Sequence, residues 1–158
     1  MSLAQGTPDA RTQTRQYLTF QLAEELYATE ILAVQEIRGY SGVTPIPHSP
    51  PHIKGVMNLR GAVIPILDLR LRFAMEPLEY NKFNVIIVFS FGEKAFGVIV
   101  DAVSDVLDVT AAEVRPPPEF TARSDSRFIS GMATVGEKLV VLLDVARLMQ
   151  EEVATIAA

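Results

Sequence analysis

The sequence predicts a mainly β protein: two similar five-stranded barrels packed on each other through an internal duplication, followed by one C-terminal helix. Three observations predict it. Past residue 16, short apolar segments alternate with turn residues, the pattern of half-buried strands. The second half repeats the order of the first. Only the stretch from Val145 onward carries helical spacing.

The elements follow in order. Tyr17–Leu22 alternates apolar and polar residues, Ala23-Glu24-Glu25 makes a turn, and Leu26 opens the return strand. Val34-Gln35-Glu36-Ile37-Arg38 alternates again. Val56–Leu59 and Ala62–Leu67 flank Arg60-Gly61, a hairpin-like interruption. Pro65, inside the second of these runs, marks a strand edge that cannot continue a ladder on that side. Asn84–Phe91, Gly92-Glu93-Lys94 and Ala95–Val100 read as another hairpin, and Val103–Leu107, Met132–Val135 and Leu139–Leu143 as further strands. Val145, Leu148, Met149, Val153 and Ile156 share one helical face.

The duplication is weak but ordered. At a shift of 69 residues Phe20 meets Phe89, Glu24 meets Glu93, Tyr27 meets Phe96 and Ala33-Val34 meets Ala102-Val103. At a shift of 76, Ile53 meets Ile129, Gly55 meets Gly131, and Leu67-Asp68 meets Leu143-Asp144. Between these blocks both halves carry a proline-rich connection: Pro45, Pro47, Pro50 and Pro51 in one, Pro116-Pro117-Pro118 in the other. About five short strands per half, without intervening helices, favour closure into a barrel that hides its edges. The halves fall at about 17–82 and 83–149, with residues 1–16 a disordered tail and 150–158 the end of the helix. A duplicated chain is also able to exchange strands between barrels, and the repeat leaves that open.

Composition excludes several classes. The net charge of −5 repels a phosphate backbone, so nucleic acid is not an expected partner. Cys is absent, which removes disulfides and thiol chemistry and fits a reducing cytoplasm. The first 16 residues lack the apolar stretch of a signal peptide, and Val85–Phe91 is far too short to span a membrane, so no direct membrane insertion is expected.

No catalytic constellation emerges. His48 and His52 are four apart, but Ser49-Pro50-Pro51 between them cannot be helical, so they read as loop residues and no metal is expected. Asp101, Asp105 and Asp108 disperse over two strand faces and read as a solvated edge. Neither Ser49 nor Ser130 sits in a nucleophile turn, and no glycine-rich phosphate loop occurs. The chain is expected to be no enzyme and to need no cofactor. A small-molecule-binding β-barrel module, with its ligand between the barrels, is the alternative reading.

The segment Ile53-Lys54-Gly55-Val56-Met57-Asn58-Leu59-Arg60-Gly61-Ala62-Val63-Ile64-Pro65-Ile66-Leu67-Asp68-Leu69-Arg70 closely resembles the CheW family of bacterial chemotaxis coupling proteins. Val34-Gln35-Glu36-Ile37-Arg38-Gly39-Tyr40, Val100–Leu107 and Arg115–Phe120 are similar to its other signatures, in the same order. The resemblance runs from Gln16 to Met149. It implies SH3-like barrels and a scaffold role: an adaptor that joins the cytoplasmic hairpin tip of transmembrane chemoreceptors to the regulatory domain of the histidine kinase CheA. It places the chain in the cytoplasm, at the inner face of the membrane through receptor complexes. Carried over by residue, the receptor groove corresponds to Val34, Glu36, Gly55, Arg60, Gly61 and Val103. The two glycines are expected to let a receptor helix approach closely. The kinase-binding surface corresponds to Arg115, Glu119 and Phe120. Spacing alone reads Glu36 and Arg60 as independent surface charges; the resemblance pairs them at the groove edge. Phe120 is either an interface anchor or a plug in its own barrel.

Overall fold

A computed structural model of the chain describes residues 14–77, 79–116 and 128–157. Strands β1 (Thr14–Leu22), β2 (Glu25–Glu30), β3 (Val34–Gly39), β4 (Ile53–Leu59) and β5 (Ala62–Asp68) precede a single helical turn, α1 (Leu69–Arg72). Then come β6 (Val85–Phe91), β7 (Lys94–Val100), β8 (Ala102–Thr110), β9 (Val114–Arg115), β10 (Ile129–Val135), β11 (Lys138–Leu143) and helix α2 (Val145–Ala157). Short 3₁₀ turns at Ile31–Ala33 and Ala111–Glu113 link β2 to β3 and β8 to β9. The first strand opens at Thr14, inside the stretch expected to be tail, because Thr14, Arg15 and Gln16 extend the ladder with β8.

The strands form two sheets, ordered β8-β1-β2-β11-β10-β9 and β3-β6-β7-β5-β4. The halves therefore exchange strands. The β1–β2 hairpin of the first half joins β10–β11 of the second through a parallel β2–β11 ladder, and β6–β7 joins β4–β5 through a parallel β7–β5 ladder. The duplication is visible in the irregularities as well. Bulges interrupt the ladders at Val34/Glu36 and at Leu18/Phe20, and again at Ile53/Gly55 and Ile129/Gly131. Asp68 caps α1 by accepting the Leu71 amide, and Asp144, its counterpart, accepts the Arg147 amide at 3.1 Å. That capped turn is why Leu69–Arg72 is helical where alternation ended and no helix was expected.

Pro65 lies on an interior strand, not at an edge. It faces Val56 of β4, and the ladder to β7 begins one residue later, at Ile66, so the missing amide interrupts nothing.

The core has three layers. Met57, Leu59, Ile64, Ile66, Ile86, Val88 and Ile99 fill the five-stranded sheet, and Tyr17, Ala28, Val109, Ala133, Val140 and Leu142 fill the six-stranded one. Between the sheets lie Leu18, Phe20, Leu22, Ile87, Phe89, Phe128, Leu69 and Leu148 among others. Alternate residues of β6 thus point into different layers, which explains its unbroken apolar run: both faces are buried. Phe20, Phe89 and Phe128 are almost wholly buried here, each worth about 1.5–3 kcal/mol in apolar burial.

Candidate functional site

The β4–β5 hairpin closes with two residues, Arg60 and Gly61, between the paired Leu59 and Ala62. Both have positive φ, +51° and +89°, the backbone of a type I′ turn whose twist matches the flanking strands. Glycine adopts it freely; arginine does so at a cost. Asn58 steadies the turn by accepting the Gly61 amide on its side-chain oxygen at 3.0 Å.

From that turn Arg60 reaches β3. Its Nη1 donates to Oε1 of Glu36 at 2.8 Å, and Arg38 Nη1 stands 3.4 Å from the other carboxylate oxygen. The Arg60 side chain keeps 68% of its exposure and Glu36 only 20%. An isolated backbone bridge, Thr44 to Val56, ties the connection that follows β3 to β4, at the other end of the sheet. The sheet therefore rolls upon itself, and Glu36 and Arg60 lace its seam.

Gly55 has a different reason from the one expected. Its φ is +149°, and a Cβ there would stand 2.0 Å from the Thr44 carbonyl oxygen. The close approach is made by the chain's own backbone, on that side of β4, and not by a foreign helix. Gly131 holds the equivalent position, with Arg115 O 3.0 Å from its would-be Cβ. Gly61 differs: nothing lies within 4 Å of its would-be Cβ.

Val34 on β3 and Val103 on β8 are half-buried, and both pack on the layer between the sheets. Val34 pairs with Phe89 and Val103 with Phe20, a match at the shift of 69. β3 and β8 are end strands of their sheets. Sequence reasoning missed the next apolar residue along each: Ile37, 44% exposed, and Val106, 48% exposed. The repeat that aligned Val34 with Val103 also aligns these two. Arg115 is exposed on β9, paired opposite Met132. Glu119 and Phe120 lie outside the described residues.

Two polar groups differ from the reading of the sequence. Asp101 is no solvated edge: Arg70 Nε and Nη2 grip its carboxylate at 2.7 and 2.6 Å, and the Ala23 amide adds a third bond at 2.8 Å. The contact joins α1 and the β1–β2 turn to the β7–β8 junction, and it raises the Arg70 pKa, chiefly through the hydrogen bond. His52 is no free loop residue: its Nε2 lies 2.8 Å from Glu152 of α2, whose other oxygen accepts from Arg72 at 2.6 Å. Nearby, Tyr80 donates to buried Asp68 and its ring lies tilted against that of Tyr40, centroids 4.2 Å apart; burial first, then that bond, pushes its phenol pKa up. Among the described residues no three metal-ligating side chains converge, and no helix is long and apolar enough to cross a membrane.

Known proteins resemble the chain over most of its length. The family model described as CheW-like domain matches residues 16–153. The chemotaxis protein CheW of Klebsiella aerogenes is 44% identical over 141 residues, 89% of this chain and 85% of that protein. The probable chemotaxis protein CheW of Rhizobium etli is 37% identical over 137 residues, 87% of this chain and 88% of the other. Among solved structures, the scaffolding protein TtCheW from Thermoanaerobacter tengcongensis superposes with a TM-score of 0.76 at 33% identity, covering 88% of this chain and 87% of its own.

Proposed function

Since the chain belongs to the CheW-like family, we propose that it is a non-catalytic chemotaxis adaptor that couples transmembrane chemoreceptors to the histidine kinase CheA. The observation that carries this reading is the pair of duplicated apolar positions on the two sheet-end strands. Val34 on β3 and Val103 on β8 pack on the layer between the sheets, and Ile37 and Val106, three residues further along the same strands, are exposed to solvent. Apolar residues exposed on end strands invite unwanted pairing unless a partner covers them.

The partner on this surface is the helical hairpin tip of a chemoreceptor, with Val34, Ile37, Val103 and Val106 as apolar contacts, a helix-in-groove mode. Arg60 and Glu36 flank it as the polar rim. Gly55 shapes the groove from within by admitting Thr44, and Gly61 leaves the turn unobstructed. The kinase's regulatory domain meets a second surface containing Arg115, Glu119 and Phe120, with Phe120 as its aromatic anchor. The protein works in the cytoplasm, held beneath the membrane by its receptor. Coupling then requires contacts that differ between signalling states, because equal affinity for both shifts neither.

The test is binding of the purified chain to a receptor cytoplasmic fragment and, separately, to the CheA regulatory domain. Saturable binding to both is expected. Binding to neither would leave the family membership standing and remove the adaptor role.

A further inference from the structure

The Arg60–Gly61 turn has a counterpart in the second half of the chain. At the shift of 76, Arg60 corresponds to Gly136, Gly61 to Glu137 and Asn58 to Thr134. Both hairpins close with two residues: Leu59 pairs with Ala62, and Val135 with Lys138. The second hairpin puts glycine at the left-handed position, φ +64° at Gly136, where no side chain is strained. The first puts arginine there, at φ +51°. The bend itself does not need an arginine. A strained residue held in place points to a use for its side chain.

What holds it is not packing. No heavy atom lies within 4 Å of the would-be Cβ of Gly61, and Arg60 is largely exposed. The contact on the turn is the Asn58 side-chain oxygen, which accepts the Gly61 amide at 3.0 Å. With Gly61 so tied, the Arg60 guanidinium spans the seam to Glu36 at 2.8 Å.

We infer that Asn58 is the positioning residue for Arg60: its amide oxygen locks the Gly61 N–H, keeps Arg60 left-handed, and so aims the guanidinium along the seam at Glu36 and the partner's surface. The part concerning the partner rests on the reading of this face as the receptor groove. Asn58 itself touches no partner; it acts through Arg60.

The experiment uses the full chain in four variants, Asn58→Ala, Asn58→Asp, Arg60→Ala and the Asn58→Ala/Arg60→Ala pair, titrated against a purified chemoreceptor hairpin fragment. Asn58→Ala is expected to weaken binding roughly fivefold, the worth of one hydrogen bond. Asn58→Asp, which keeps the accepting oxygen, is expected to restore it. Asn58→Ala is expected to add nothing once Arg60 is already alanine. In parallel, the ¹⁵N-resolved Nε–H signal of Arg60 is followed without any partner. It should move toward that of a free arginine in Asn58→Ala and stay in place in Asn58→Asp. An Arg60 signal unmoved in Asn58→Ala would overturn the positioning role, as would an equal loss of binding with and without Arg60. If the wild-type chain fails to bind the fragment, the receptor reading falls, while the Arg60 signal still decides the role of Asn58.

Discussion

Glu36 lies on one end strand of the five-stranded sheet and Arg60 on the turn that follows the other end strand, β4, yet their side chains meet at 2.8 Å. The pair closes the seam of a rolled sheet, and one member stays largely in solvent. An exposed ion pair of this kind adds about 0–1 kcal/mol to stability. A pair worth so little contributes little to holding the fold together.

Gly55 and Gly61 separate backbone necessity from surface shape. Gly55→Ala forces a Cβ into the Thr44 carbonyl and is expected to cost about 3 kcal/mol or to displace β4. Gly61→Ala meets no neighbour and carries only the strain of its φ of +89°, about 1 kcal/mol. Urea denaturation of the two variants checks the order; equal losses would contradict the close approach at Gly55.

Ile37→Asp and Val106→Asp place a charge on residues already half in water, so both variants should fold with melting temperatures near that of the wild type. Each should weaken binding to a receptor fragment about tenfold or more, as loss of an apolar contact in a groove does. Binding unchanged in both would move the receptor surface elsewhere.

The Arg70–Asp101 contact ties elements of the two halves together. Its side chains are 13% and 22% exposed, so removing one partner strands the other in a poorly hydrated site. Asp101→Ala is expected to cost about 3 kcal/mol. Replacing both, as Arg70→Met with Asp101→Leu, should recover much of that loss. A single variant as stable as the wild type would return Asp101 to the solvated edge that the sequence implied.

Tyr80 gives a pH dependence with a definite sign. Its pKa is raised in the fold by burial and by the bond to Asp68, so the folded state holds the phenol proton more tightly than the unfolded chain does. That contribution is complete below the unfolded tyrosine pKa, about 10, and is lost as pH rises above it. Tyr80→Phe should therefore lose less stability than the wild type between about pH 10 and 11. Parallel alkaline curves for the two proteins would show that the phenol carries none of the loss.

Much of this architecture was legible in the sequence, for identifiable reasons. Alternation located the long strands, since a half-buried strand has to alternate. The two shifts aligned Phe20 with Phe89 and Gly55 with Gly131, and the bulges confirm the alignment at those residues. The exchange of hairpins between sheets was not legible, because hairpin spacing specifies the partner across a turn and not the neighbour on the other side. α1 is too short, at four residues, to show periodicity. The His52–Glu152 contact spans 100 residues, and no local pattern encodes such a pairing. Ile37 and Val106 could have been found, because the repeat duplicates an apolar residue three places after Val34 and Val103.

The most direct measurement is the affinity of the wild-type chain and of Arg60→Ala for a chemoreceptor cytoplasmic fragment and for the CheA regulatory domain, with thermal melting of both proteins alongside. The account predicts that the wild type binds both partners, and that Arg60→Ala melts within a few degrees of the wild type. Arg60→Ala should keep the kinase domain and lose the receptor by about tenfold or more. Unchanged receptor affinity in a folded Arg60→Ala protein would contradict it.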